Sequence, residues 1–548
     1  MNDDVCLVMG QINPIVGDVA ANVKLVISAA ERARDELNAD LIVFPELTLT
    51  GYPPEDLLLR PGLIKRVEKG LNQLKNKIQG IAIVVGHTSG IAREELYNAA
   101  SFIADGECLG LYLKQHLPNY SVFDEKRYFV EGKEACVVEY KGIRFGLTIC
   151  EDIWFAGPAS QALDAGAEII LNLNASPFRQ GKWQLRETEV KQRVLETGLP
   201  IVYVNQVGGQ DELIFDGCSF ALSAQGDKVA LAPAWQSSLY PLMISKTDKQ
   251  GLSLIGGITA KESELAMVYQ GLVCGLHDYI EKNNFSSVVI GLSGGIDSAL
   301  TLALAVDAIG PERVSTVMMP SRYTAQMSLD DADEMASILG VEHQVIAIDD
   351  LFEQFLSTLS EQFAGTKVDT TEENIQARIR GVILMAISNK KGAMVLSTGN
   401  KSEMAVGYST LYGDMAGGFS PLKDVYKTLV YQLSEYRNSL SHVIPSRIIT
   451  RPPSAELAAD QVDQDSLPPY EVLDALLERY IGDDWCFEDL VSAGADAEIV
   501  ARIIKMVDRS EYKRRQSPPG IRITSRAFGR DRRYPITSGY EVKAFQDE

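Results

Sequence analysis

The stretch VVIGLSGGIDSAL, residues 288–300, constrains this chain more than any other. A β-branched apolar run enters a loop holding Gly291, Gly294 and Gly295 and leaves it in a helical pattern. Such a strand-to-helix turn aims backbone N–H groups and a helix dipole at an anion. The Gly-Lys-Ser/Thr ending of nucleotide-hydrolase phosphate loops is missing. Asp297 stands in the loop instead and would repel a bare phosphate. Its presence makes sense if it holds Mg²⁺ on a pyrophosphate, with Ser293 and Ser298 adding hydroxyl donors. A short S-G-G alone would read better as a capped strand-to-helix turn. The full S-G-G-x-D-S after Val-Val-Ile favours nucleotide chemistry.

At 548 residues the chain is too long for one hydrophobic core. Runs dense in Val and Ile recur at 5–11, 41–47, 81–88, 143–150, 168–176 and 200–207, then at 218–226 and 229–235. They read as strands buried on both faces, with helix-like segments before Glu168 and Pro200, the mark of a layered α/β domain. The pattern weakens near 236–262, where SKTDKQGLSLIGGITAKESE reads as a linker. A second α/β series starts at Ser286, with strands expected near 288, 313–321, 343–350 and 393–400. Two domains are expected, 1–255 and 262–548. The Pro- and Asp-rich stretch 451–470 reads as an ordered surface excursion.

Charge narrows the partners. A net charge of −22 argues against sequence-independent nucleic-acid binding. No apolar run approaches the length of a membrane span, and the acidic start reads as a strand rather than a signal peptide. Seven scattered cysteines suit a reducing cytoplasm. Against the acidic background, residues 509–533 hold nine Arg or Lys. That stretch is either a solvated basic face or a lid for an anionic ligand.

The loop resembles that of the ATP pyrophosphatase (N-type) family, which cleaves ATP between its α and β phosphates and adenylates an acid. STGNKSEMAVGYSTLYGD (397–414), TEENIQARIRG (371–381), PLKDVYK (421–427) and YKRRQSPPG (512–520) narrow this to a resemblance to NAD⁺ synthetases. The resemblance implies a doubly wound, Rossmann-like parallel sheet. It implies ATP contacts from Gly291, Leu292, Ser293, Gly294, Gly295, Ile296, Asp297, Ser298 and Thr398. Deamido-NAD⁺ contacts would come from Asn374, Glu403 and Lys513, and Mg²⁺ ligands from Asp297 and Glu403. Lys423, Lys427 and Asp414 lie in matching motifs without an assigned role.

In the first half, Glu46 ends LIVFPE, Lys114 lies in GLYLKQHLPNY and Cys150 ends IRFGLTIC. Singly each reads as an ordinary residue. Together they resemble the Glu-Lys-Cys triad of the nitrilase/amidase family, which implies an α-β-β-α sandwich. A carboxylate can take a thiol proton, and an ammonium can stabilise an oxyanion. No His stands beside Cys150. The resemblance also implies a glutamine pocket with Tyr120, Ser176 and Lys182, and Glu125 as a second carboxylate beside Lys114. The combined resemblance is to a glutaminase fused to a synthetase. It implies a ligase, in the last step of NAD biosynthesis, that acts on glutamine, ATP and deamido-NAD⁺ as a cytoplasmic homo-oligomer. The rivals are another glutamine-fed ATP pyrophosphatase and a catalytically dead nucleotide-binding protein.

Overall fold

Along the first strand Val5, Leu7 and Met9 face one side and Cys6 and Val8 the other, yet all five are buried. Only a sheet covered on both faces hides both sets. In the computed structural model Val5, Leu7 and Met9 join a core shared with a second sheet, while Cys6 and Val8 join a core under helices. Residues 4–91, 94–247, 251–458, 461 and 463–540 are described. Outside them lie residues 1–3 of the acidic start, 248–250 of the expected linker, 459, 460 and 462 of the Pro-rich stretch, and the last eight residues of the second expected domain. The chain divides into two units, Met1–Ser263 and Glu264–Glu548.

The first unit begins with β1 (Val5–Gln11), α1 (Val19–Leu37), β2 (Leu41–Val43), α2 (Pro61–Lys77) and β3 (Ala82–Gly90). The hairpin β4 (Leu96–Ala104) and β5 (Glu107–Leu113) follows, then β6 (Val137–Tyr140) and β7 (Ile143–Ile149). Next come α3 (Ala156–Asp164), β8 (Ile169–Asn174), α4 (Lys182–Thr197) and β9 (Ile201–Asn205). The unit closes with β10 (Val207–Gln210), β11 (Leu213–Asp216), β12 (Phe220–Leu222), β13 (Lys228–Leu231), β14 (Ser238–Lys246) and β15 (Leu252–Gly256). One sheet runs β15-β14-β1-β2-β3-β4-β5 and the other β13-β12-β9-β8-β7-β6, with β10 and β11 a separate hairpin. Leu41, Phe102 and Leu242 of one sheet pack with Phe145, Leu171 and Val202 of the other. α1 and α2 cover one outer face, and α3 and α4 the other. The result is the α-β-β-α sandwich.

The expected linker is a correction. β14 occupies Ser238–Lys246 and β15 Leu252–Gly256, and β14 pairs antiparallel with β1 from Val5 opposite Ile244 to Gln11 opposite Ser238. Glycine and polar residues mask the pattern, yet Leu242 and Ile244 point inward while Met243 is exposed, the period of a strand. The expected strands at 229–235 and 343–350 are also shorter than read, spanning Lys228–Leu231 and Glu342–Val345.

The second unit opens with α5 (Glu264–Lys282), β16 (Val288–Gly291), α6 (Ile296–Ile309), β17 (Val314–Met318), α7 (Gln326–Leu339) and β18 (Glu342–Val345). α8 (Asp349–Thr358), α9 (Thr370–Lys391), β19 (Met394–Leu396), α10 (Lys401–Val406) and α11 (Lys427–Leu440) follow. The sheet order is β18-β17-β16-β19, all parallel, so the chain reverses direction of travel beside β16. That doubly wound arrangement opens a crevice at the carboxyl ends of the central strands, where the S-G-G-x-D-S loop leaves β16. A separate apolar cluster joins α10 to the helices Tyr470–Leu477 and Ala497–Arg509.

Leu147, 1% exposed at the centre of the sandwich, offers a test of the double-sheet core. Leu147→Ala is expected to cost about 2–5 kcal/mol. A lowered midpoint in urea unfolding checks this; an unchanged midpoint would mean that the two sheets do not share a core.

Candidate active sites

Three strands of the first unit end at one place. Glu46 follows β2, Lys114 follows β5 and Cys150 follows β7. All three are at least 95% buried. The Lys114 ammonium donates to Glu46 Oε1 at 2.6 Å and to both oxygens of Glu125 at 2.9 Å. Glu46 also takes the Asn98 Nδ2 donor at 2.7 Å and the Ala175 N–H at 3.1 Å. Tyr52 OH donates to Glu125 at 2.9 Å. Burial opposes the charge on Lys114, but Glu125 and Glu46 outweigh it and hold its pKa well above the lysine range. Burial pushes Glu125 up to about 7 against the pull of Lys114.

Cys150 opens a 3₁₀ turn, Cys150–Trp154, with φ of 43°. This left-handed conformation is costly for a side-chain-bearing residue and marks a sharp strand-to-helix turn. Burial drives the thiol pKa well above its ordinary range, Glu46 adds to the shift, and Lys114 opposes it. The resting group is therefore a neutral thiol beside a carboxylate rather than a stored thiolate.

The expected glutamine-pocket residues are brought together only in part. Tyr120 OH donates to Glu151, the neighbour of Cys150, at 3.0 Å. Lys182, the first residue of α4, favours the ionised form of the same Glu151, and its Nζ lies 5.8 Å from the Phe123 ring centroid. Ser176 follows Ala175 and is tied instead to Arg186, whose Nε donates to its Oγ at 3.2 Å. Arg186 in turn forks onto Asp216 at 2.7 and 2.9 Å.

In the second unit the loop from Gly291 through Leu292 to Ser298 turns at Gly294, φ +74°. A Cβ there would stand 2.4 Å from the Ser328 carbonyl oxygen, so only glycine fits. Ser298 Oγ lies 3.1 Å from Ser293 Oγ and donates to the Gly295 carbonyl at 2.9 Å. Ile296 and Asp297 begin α6. Asp297 accepts the Lys427 ammonium and, at 2.9 Å, the Asn400 amide. Lys427 also reaches Glu403 at 3.2 Å. Burial pushes Glu403 up to about 8 although Lys427 pulls it down. Thr398 lies between β19, the parallel neighbour of β16, and the cap of α10 at Asn400.

Among the described residues no group of three His, Cys, Asp or Glu gathers as a metal site. Two carboxylates, Asp297 and Glu403, nonetheless meet at one ammonium. Such a hard-oxygen pair fits Mg²⁺, which takes one or two carboxylates and fills its octahedron with phosphate and water oxygens.

Asn374 and Lys513 lie apart from Glu403's ion pairs, in a second cluster. Thr410 Oγ1 donates to Asn374 at 2.7 Å, and its N–H donates to Asp414 at 2.6 Å. Lys513 Nζ donates to the carbonyls of Gly407 and Ser409 at 2.7 and 2.8 Å. Burial pushes Asp414 up to about 6 and Lys513 down. Lys423 Nζ donates to the Pro518 carbonyl at 2.8 Å.

The basic stretch 509–533 is not a free cationic lid, which corrects that reading. Arg514 and Arg515 bond Glu511, Arg522 bonds Asp531, Arg526 bonds Asp484, and Arg532 bonds Asp508. Four carboxylates between 484 and 531 thus pair with five of its nine cations. The start of 451–470 instead reaches the loop: Arg451 donates to the Gly294 carbonyl and, at 2.8 Å, to Ser328 Oγ.

The carbon-nitrogen hydrolase model matches residues 7–250 and the NAD synthase model residues 268–517. A glutamine-dependent NAD(+) synthetase of Acinetobacter baylyi is 49% identical over 97% of this chain and 98% of its own length. One of Xanthomonas campestris is 48% identical over 97% of each chain. The solved structure of an Acinetobacter baumannii glutamine-dependent NAD⁺ synthetase with ADP is 47% identical, covers 97% of this chain and 98% of its own, and gives a TM-score of 0.79. The chain belongs to the glutamine-dependent NAD(+) synthetase family. Members of this family are ligases, and so is this enzyme.

In this family member the sequence did not single out Asp152, which organises the Cys150 turn. Its Oδ1 accepts from the N–H groups of Gln115 and His116 at 3.1 and 2.8 Å, and its Oδ2 accepts from the Ile149 N–H at 3.0 Å and the Tyr112 O–H at 2.8 Å. Burial pushes this carboxyl up to about 6 against those bonds. An Asp two residues after a strand-end Cys, in CEDIW, was the available signal. Asp152→Ala leaves buried donors without an acceptor and is expected to cost about 3 kcal/mol or more. Thermal unfolding and the alkylation rate of Cys150 check this. A melt and an alkylation rate like those of the unaltered chain would show that Asp152 does not hold the turn.

Proposed function

We propose that the first unit is a glutaminase and the second an ATP-dependent amide synthetase, and that together they convert deamido-NAD⁺ to NAD⁺. The observation that carries the reading is the buried Lys114 ammonium holding Glu46 and Glu125 beside Cys150, in one chain with an intact S-G-G-x-D-S loop.

Glutamine binds with its amide carbon at Cys150 Sγ, with Tyr120, Ser176 and Lys182 in its pocket. Glu46 takes the thiol proton as sulfur attacks, which suits a thiol that burial keeps neutral at rest. Lys114 has three N–H donors, and all have carboxylate partners here, so it stabilises the tetrahedral oxyanion by its charge rather than by a direct hydrogen bond. Glu46 returns its proton to the leaving nitrogen, and ammonia departs. It then deprotonates a water that hydrolyses the glutamyl thioester to glutamate.

In the second unit ATP lies on the loop from Gly291 to Ser298 with Thr398 close by. Asp297 and Glu403 would hold Mg²⁺, which neutralises charge on the departing pyrophosphate. Asn374, Glu403 and Lys513 would contact deamido-NAD⁺, with Asp414 beside them. The nicotinate carboxylate attacks the α-phosphorus, pyrophosphate leaves, and ammonia displaces AMP from the acyl adenylate. The reading extends to a homo-oligomer in the cytoplasm. The seven unpaired cysteines suit that reducing compartment, and no described helix is long and apolar enough to cross a membrane.

Cys150→Ala is expected to abolish NAD⁺ formation from glutamine while formation from ammonium persists. Asp297→Asn is expected to lower both by about 100-fold or more, the scale on which one group placed at a developing charge acts. Coupled measurement of AMP and NAD⁺ with each nitrogen source checks both. Loss of the ammonium reaction in a folded Cys150→Ala enzyme would sink the two-centre reading.

A further inference from the structure

Asn98 sits on β4 and is fully buried, with Thr88 as its cross-strand partner on β3. No local sequence signal marks it. Its backbone carbonyl accepts the Lys114 N–H at 2.8 Å, and its side-chain Nδ2 donates to Glu46 Oε1 at 2.7 Å. One residue thus grips both the strand end that carries the ammonium and the carboxylate that the ammonium faces. Its Oδ1 is buried and has no partner among the described residues, and neither has Thr88 Oγ1. A buried amide oxygen left unpaired is costly. Turning the amide over would relieve nothing, because it would set that oxygen against the carboxylate of Glu46 and remove a donor from it. The carboxylate, not the amide's own needs, decides the orientation.

The donors on Glu46 are unevenly shared. Among the described residues Oε1 takes two, Lys114 at 2.6 Å and Asn98 at 2.7 Å, while Oε2 takes one, the Ala175 N–H at 3.1 Å. An ionised carboxylate has about two lone-pair sites on each oxygen, so two short donors occupy Oε1 and leave room on Oε2. We propose that Asn98 is a positioning residue for the glutaminase base: it closes Oε1 of Glu46 and thereby makes Oε2 the oxygen that exchanges protons with Cys150 and water. This rests on the reading of Glu46 as the base. The groups facing Glu46 are Lys114 after β5, Glu125 on its 3₁₀ turn, Cys150 and Glu151 after β7, and Tyr52 after β2. Asn98 is the uncharged side-chain donor among its hydrogen-bond partners.

The test uses the full-length enzyme with deamido-NAD⁺, ATP and Mg²⁺, and follows glutamate release. Asn98→Leu keeps the bulk and removes the donor. Asn98→Ser is the second variant should leucine prevent folding. Either is expected to lower kcat about 10- to 100-fold with KM for glutamine within about threefold, the weight of one charge-assisted hydrogen bond made to the base and not to the substrate. Asn98→Asp is isosteric, but its carboxyl can donate to Glu46 only while protonated, so its residual kcat is expected to climb as pH falls. A residue that merely fills space would not reverse the pH trend. The proposal is overturned if a folded leucine or serine variant keeps its kcat, or if the loss falls on KM instead. Glu46→Gln separates the two levels. Glutaminase activity surviving in that variant refutes Glu46 as the base. Activity lost there but kept in the Asn98 variants refutes only the role of Asn98.

Discussion

A lysine ammonium with no access to water is tolerable only between carboxylates, and the first unit is organised around that requirement. Removing such an ion from water costs several kcal/mol, which its partners offset only in good geometry. Lys114 meets Glu46 at 2.6 Å and Glu125 at 2.9 Å, and neither carboxylate is on a neighbouring element of the same hairpin. Glu46 comes from the end of β2 and Glu125 from a 3₁₀ turn, so the ion triad fixes three chain segments at one point. The other contacts of Glu46, from Asn98 Nδ2 and the Ala175 N–H, hold its carboxylate in one orientation.

The second unit repeats the device with different parts. Lys427, 2% exposed at the start of α11, bridges Asp297 on the first turn of α6 and Glu403 on the first turn of α10. Both carboxylates thus sit at helix N-termini, where partial positive charge favours them. In the first unit the bridging ammonium fixes Glu46 and Glu125 beside Cys150. In the second it draws Asp297 and Glu403, from two different helices, to one point. Neither arrangement requires a histidine.

Much of this was legible in the chain because the chemistry sits at strand ends. Glu46, Cys150 and the S-G-G-x-D-S loop each follow an apolar run, so their placement at a sheet edge is implied by the run itself. What was illegible has a common cause. Asn98 and Asp152 act through bonds to groups 52 and 37 residues away in sequence; nothing local marks Asn98, and the place of Asp152 two residues after Cys150 does not reveal its distant partners. The arginines of 509–533 resembled a cationic lid because the carboxylates that pair with five of them are identified only by the fold. Strands β14 and β15 were hidden by glycine and lysine, although Leu242 and Ile244 carried the period-2 signal.

The central claim is that nitrogen freed at one thiol meets an acid activated as its adenylate. The most direct measurement supplies deamido-NAD⁺ labelled with ¹⁸O in its carboxylate, with unlabelled glutamine as the sole nitrogen source. The account predicts AMP carrying one labelled oxygen, formed in step with glutamate, because the acid's oxygen leaves with the α-phosphorus. Unlabelled AMP, or label in the pyrophosphate, would contradict it.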